Sequence, residues 1–148
     1  MLPTRLAADP VTVANRLRPV LLRLNRELRR ELAALGMTGG QATLLHLIHT
    51  SPGVGVRDLS VREGMSAAGM SGHVDRLEAA GLVRRVPSID DRRRVGLELT
   101  SEGTRALRAV RRTRTAWLAR RLDRLEPAEL EAVDAAIEPL LRLVEEDA

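Results

Sequence analysis

The stretch Met65 to Gly103, MSAAGMSGHVDRLEAAGLVRRVPSIDDRRRVGLELTSEG, decides how the rest of the chain is read. Ser66 has the short acceptor side chain of a helix N-cap. Met70, Val74 and Leu77 follow it at helical spacing, so a helix is predicted over Ser66 to Ala80 with those three side chains inward and Gly81 closing it. Leu82 to Val86 and Val95 to Leu99 carry β-compatible residues. Pro87 to Arg94 between them is polar and rich in arginine, which predicts two strands joined by a basic hairpin loop. Just upstream, Arg57 to Glu63 has room for about two helical turns before Gly64. Two short helices around a glycine-containing turn have the length and punctuation of a helix-turn-helix. A basic hairpin placed directly after such a unit is a wing.

Working toward the N-terminus, Val54 to Val56 is long enough only for a stub of strand, and Ser51-Pro52-Gly53 breaks the chain before it. Thr38 is placed to cap a helix running to about Thr50, with Leu44, Leu45, Leu47 and Ile48 as its buried side. Val11 to Leu35 reads as a long helix on its leucine spacing, ended by Gly36, with Pro19 predicting a kink near Leu17 to Pro19 or a helix that effectively begins there. Toward the C-terminus, Thr100 or Ser101 caps a helix with Leu107, Val110, Trp117, Leu118, Leu122 and Leu125 along one side. Pro127 then opens a last helix carrying Leu130, Val133, Ile137, Leu140, Leu141 and Val144, with a bend expected at Pro139.

Composition narrows the chemistry. With no cysteine in 148 residues, disulfides, thiolate metal sites and thiol redox sensing are excluded. No run of about 18 apolar residues exists, and Met1 to Asp9 lacks the features of a signal peptide, so a cytoplasmic protein without membrane association is expected. All 24 basic residues are arginine, whose planar fork suits phosphates and guanine edges. Net charge is only +4, but residues 101–125 carry eight Arg against two acids, whereas residues 126–148 carry one Arg against eight acids. Such oppositely charged segments suit pairing with each other or across a dimer.

The run from Met65 to Gly103 resembles the core of the multiple antibiotic resistance regulator (MarR) family. VDRLEAAGLV, Val74 to Val83, is similar to the end of that family's recognition helix entering the first wing strand. Asp91, Arg93, Leu99, Thr100 and Gly103 fit its DxR, LT and terminal-glycine pattern. The resemblance implies a fold that is all-α with a small β-hairpin wing, a winged helix-turn-helix. In it, residues 1–148 form a single chain, 38–100 the DNA-binding lobe, and 10–36 and 101–146 the dimerisation helices. It further implies a homodimer interlocked through the first, fifth and sixth helices, and a function as a transcriptional regulator, a repressor by analogy, on a pseudo-palindromic operator. Apolar stripes at both chain ends, with few partners in one small lobe, independently call for a two-fold partner.

In a helix-turn-helix the N-terminal part of the second helix meets base edges in the major groove of double-stranded DNA. Here that part offers Ser66, Ala67, Ala68, Met70, Ser71 and His73, with Arg76 one turn further on. The alanines suit thymine methyls, and Ser71 and His73 suit hydrogen bonds to base edges or phosphates. Arg76 suits a phosphate, or else a surface ion pair with Asp75 or Glu78. Gly69 and Gly72 stand where many members of the family carry a hydroxyl residue and an Arg or other long polar residue, and each weakens the helix by about 1 kcal/mol. In the wing, the resemblance implies that Arg93 enters the minor groove, held by an ion pair with Asp91, while Arg92 and Arg94 point to phosphates or solvent. A merely soluble charged hairpin is the alternative. Arg57, Arg84 and Arg85 are candidate phosphate contacts.

The resemblance also implies a small-molecule effector bound between the dimer helices and the lobe, in a crevice lined by His46, His49, Trp117 and arginines of the first helix. Trp117 equally suits a core anchor. No catalytic constellation is visible: the three histidines, His46, His49 and His73, lack an acid partner or phosphate loop, so neither an enzyme nor a cofactor is expected. His46 and His49 sit three apart and are able to share a metal, but histidines so spaced are mostly surface or core residues, and no metal site is predicted. A winged helix that has lost DNA binding and serves as a protein-interaction module is the remaining alternative.

Overall fold

The computed structural model describes residues 7–145; the ends of the expected 1–148 unit and of the 101–146 segment therefore lie outside the described residues. Six α-helices and one small sheet follow in the order α1 (Pro10–Arg30), α2 (Gly39–Thr50), β1 (Val54–Gly55), α3 (Val56–Arg62), α4 (Ala67–Ala79), β2 (Val83–Pro87), β3 (Val95–Leu99), α5 (Ser101–Leu122) and α6 (Pro127–Arg142). The sheet is antiparallel with strand order β1-β3-β2. The fold is the expected winged helix-turn-helix, mostly helical with a small β wing.

Local chemistry sets most boundaries. Thr38 and Gln41 form a reciprocal capping box that satisfies two otherwise unpaired backbone donors of the first turn of α2. The Ser66 hydroxyl accepts from Gly69 N at 3.1 Å and starts α4 as predicted. At the far end of α4, Gly81 takes φ +75°, and the Leu82 amide donates back to the Leu77 carbonyl at 3.0 Å. Leu82 thus completes the helix cap, which is why β2 begins one residue later than expected, at Val83. Similarly, α3 lies one residue earlier than predicted, at Val56–Arg62.

The first helix differs from expectation. It starts at Pro10, where the Asp9 carboxylate accepts from the Thr12 amide and hydroxyl, each at 2.9 Å. Those hydrogen bonds hold the Asp9 carboxyl below its ordinary value. From there the helix continues through Pro19 instead of starting at it. It stops being α-helical at Arg30, and Glu31–Leu35 form a tighter 3-10 turn before Gly36 at φ +66°. The tightening delivers Leu32 into a fully buried cluster with Ala42 of α2 and Val110 of α5. The last helix likewise remains α-helical through Pro139 to Arg142.

The main core joins Leu44, Leu45 and Ile48 of α2, Leu59 of α3, Met70, Val74 and Leu77 of α4, Val54, Val83 and Leu97 of the sheet, and Leu107 of α5. Outside it, α1 and α6 bury no residue within one protomer. Leu130, Val133, Ile137 and Leu141 of α6 are each more than 40% exposed.

The joint between wing and α5 is set by Thr100 and Gly103. Thr100 donates its hydroxyl to the Gly81 carbonyl at 2.6 Å, accepts from Gly103 N at 3.0 Å, and donates its amide to the Leu82 carbonyl at 3.1 Å. One residue therefore ties the end of α4 to the start of α5. A Cβ at Gly103 would be driven into the Leu82 carbonyl. Helix propensity alone favours Gly103→Ala by up to about 1 kcal/mol. Overpacking against rigid backbone costs about 1–3 kcal/mol and wins. Gly103→Ala is therefore expected to lower stability in a urea melt; a higher midpoint would contradict this account of the joint.

Candidate nucleic-acid interface

Burial divides α4 into two faces. Met70, Val74 and Leu77 are fully buried, whereas Ala67, Ala68 and Arg76 are exposed, and Ser71 and His73 half-buried. Met70 is consequently corrected from the candidate base-reading set: with no accessible surface it belongs to the core and cannot reach a groove. Ser66 is exposed and engaged as the N-cap. What α4 presents outward in its first two turns is short: two alanine methyls, glycine backbone and the Ser71 hydroxyl. Beyond its chain neighbours and the helix's own backbone, nothing lies within 4 Å of where a Cβ at Gly72 would be.

The wing loop stands beside this helix. A cleft of about 710 Å³ has Arg57 and Asp58 of α3, Ser71 of α4, Arg85 of β2, and Asp91 and Arg94 of the loop among its walls. Helix α4 and the wing therefore border one concavity. Its rim carries cations from three elements.

The arginines fall into two classes. Arg92 and Arg93 are exposed and take part in no ion pair among the described residues. Asp91 is the organiser of the loop, but not in the way expected. Its Oδ1 accepts from the Arg93 backbone amide at 3.0 Å, and its Oδ2 lies 3.8 Å from Arg94 Nε. The anticipated ion pair with the Arg93 guanidinium is not formed: an Asx-type turn consumes the carboxylate, and the Arg93 side chain is left free. Arg57 is exposed beside the cleft.

By contrast, Arg84 and Arg85, both candidate phosphate contacts, are occupied by carboxylates. Arg84 Nη2 lies 2.6 Å from Glu98 Oε2 directly across the hairpin. Arg85 bridges two acids of α4, with Nη2 2.6 Å from Asp75 and Nε 3.2 Å from Glu78. Because Arg85 takes those two acids, Arg76 pairs with neither and instead meets His73 Nδ1 at 3.1 Å.

The suggested effector crevice is divided. Trp117 is buried, with the Arg121 guanidinium 4.7 Å above its ring, and it lines a cleft of about 440 Å³ with Val20, Arg23, Leu24 and Glu27 of α1. His46 and His49 are exposed on α2 and do not line that cleft. The sequence reading missed Arg114 of α5. Its Nε is buried without a partner, and burial, then the neighbouring Arg29 charge, hold its guanidinium below the ordinary arginine value. Arg29 in turn lies across Gly39 at the start of α2, its side-chain atoms 2.8–3.0 Å from where a Cβ would stand. Nothing in the local spacing of eight arginines in residues 101–125 singles out position 114.

Comparison with known proteins agrees with this architecture. Residues 35–94 match the model of the MarR family. A helix-turn-helix transcriptional regulator of Bacillus subtilis is 32% identical over 111 residues, covering 75% of this chain and 69% of that one. The crystal structure of a putative transcriptional regulator from Pseudomonas aeruginosa superimposes with a TM-score of 0.80 at 29% identity, over 98% of this chain and 100% of that one. A Mycobacterium tuberculosis MarR-family protein solved with p-aminosalicylic acid is 25% identical, with a TM-score of 0.64 over 90% of this chain and 98% of that one. By its winged-helix fold, its α4 and wing, and these relatives, the chain belongs to the MarR family of transcriptional regulators.

Proposed function

We propose that the chain is a cytoplasmic repressor that binds a pseudo-palindromic operator as a homodimer, α4 entering the major groove and the wing arginines the adjacent minor groove. The observation that carries this reading is that α4, through Ser71, and the wing loop, through Asp91 and Arg94, wall one cleft, while the same loop exposes the unpaired Arg92 and Arg93. Short side chains at the N-terminal end of α4 let its backbone approach base edges closely and its alanines meet thymine methyls. Free guanidiniums at a loop tip suit the negative potential of a narrow minor groove. The apolar faces of α1 and α6, unburied within one protomer, support a dimer formed by residues 10–36 and 101–146 around the 38–100 lobes. Two-fold symmetry then spaces the half-sites about one helical turn apart.

The proposed effector is a small organic anion. Arg114, with its unpartnered Nε, and Arg29 sit where α1, α2 and α5 converge, between lobe and long helices. An anion there would relieve the repulsion between the two cations. It would shift operator affinity only insofar as it binds one lobe spacing better than the other. The relative solved with p-aminosalicylic acid supports that chemistry.

Selection of bound fragments from genomic DNA, followed by salt titration on the selected site, tests the DNA-binding reading. With six or more phosphates contacted, affinity is expected to fall about 10³-fold or more between 50 and 200 mM salt. Arg93→Ala is expected to cost about 1–3 kcal/mol of operator binding. An affinity indifferent to both would instead make the lobe a protein-interaction module. For the effector, p-aminosalicylate is expected to weaken operator binding by wild-type protein and to have little effect on Arg114→Leu; an equal response of both proteins would remove Arg114 from the effector site.

A further inference from the structure

We propose that Arg85 is a positioning residue that locks the first wing strand to the recognition helix, so that α4 and the wing approach DNA as one body. This rests on the DNA-binding reading above but assigns Arg85 a role opposite to a phosphate contact. Along β2, side chains alternate between faces. Arg84 stands opposite Glu98 and pairs with it across the hairpin, whereas Arg85 stands opposite the fully buried Leu97. Arg85 is therefore on the inward face, and its guanidinium crosses to α4, where it meets Asp75 at 2.6 Å and Glu78 at 3.2 Å.

Asp75 and Glu78 are one helical turn apart, so a single planar fork holds two points on the helix. Two points fix an angle where one fixes only a distance. The helix needs such support, because Gly69 and Gly72 in its N-terminal half are poor helix formers. With the Arg85 side chain only 35% exposed and two carboxylates against it, the trio carries a net negative charge and offers a phosphate no free cation.

Exposed ion pairs add little to global stability, so the clamp should show in alignment more than in melting temperature. Each dimer has two clamps, and the effect of losing them multiplies. Arg85→Gln is expected to leave the melting temperature within a few degrees, to lower operator affinity about tenfold, and to leave the salt slope unchanged. In an Asp75→Asn, Glu78→Gln background, where the clamp is already gone, adding Arg85→Gln is expected to cost less than about twofold. Arg105→Gln, which breaks a 2.6 Å pair with Glu102 on α5, controls for loss of one positive charge. The same affinity loss in both backgrounds, with a salt slope lowered by about 0.9 for each protomer, would make Arg85 a phosphate contact and overturn the proposal. So would an unchanged affinity in the wild-type background.

Hydrogen exchange without DNA separates the clamp from the DNA-binding reading. Arg85→Gln is expected to speed amide exchange across Met70 to Ala79 about twofold to fivefold relative to wild type. Faster exchange in a protein that binds no DNA would sink the functional reading and keep the clamp, whereas unchanged exchange would sink the clamp.

Discussion

Everything the molecule presents to a partner depends on the burial of one face of α4. Met70, Val74 and Leu77 enter the core between α2, α3 and the sheet, each fully removed from solvent. Burial of a side chain of that size contributes about 1.5–3 kcal/mol, against a net stability of only some 5–15 kcal/mol for a domain. Those three residues therefore help hold the lobe together and at the same time orient the recognition helix. Because the face they occupy is committed, the remaining surface of α4 is turned outward, and it consists of alanine, glycine and serine beside a few charges. With Gly69 and Gly72 in its N-terminal half, this helix is intrinsically weakened. Its persistence comes from tertiary contacts, the apolar anchor on one side and the Arg85 fork on the other.

The second constraint is the joint at Leu82, Thr100 and Gly103. Three hydrogen bonds and one close backbone approach bring the end of α4, the return of the wing and the start of α5 to a single point. Motion of α5 is thereby coupled to the base of the wing through bonded, tightly packed atoms. Arg114, half-buried with its Nε enclosed, lies further along the same α5, near the Arg29 side chain that crosses the start of α2. One helix of 22 residues therefore carries Arg114 in its middle and the wing joint at its N-terminus.

Most of the fold is legible in the amino-acid sequence. Thr38, Ser66, Thr100, Pro127, Gly36 and Gly81 mark helix ends by local chemistry, and the periodicity of Met70, Val74 and Leu77 identifies the inward face of α4. Where sequence and structure part, the reason is a long-range contact in some places and a local cap or turn in others, such as the Leu82 cap that delays β2 and the Asp91 turn that leaves Arg93 unpaired. The first helix tightens at Glu31 because Leu32 must meet Val110, nearly eighty residues away, and Pro19 is carried inside a helix that starts earlier at the Asp9 cap. Met70 illustrates the hazard at the site itself: its place near the start of the recognition helix suggests base contact, while its phase on the helix puts it in the core.

By itself the sequence determined the element order and the helix-turn-helix with its basic hairpin, because caps, breakers and periodicity act over a few residues and leave local marks; the family it indicated by the resemblance of Met65 to Gly103 to a known pattern. Only the tertiary structure decided which arginines of the described residues are paired. The guanidiniums are chemically identical, and their pairing depends on which carboxylate happens to lie within about 3 Å. Arg85 meets two acids of α4 and Arg84 one acid of β3. Arg93 stays free because Asp91 turns to its backbone, and Arg114 is half-buried beside another cation. Apart from the local turn at Asp91, those distances are set by how remote segments pack.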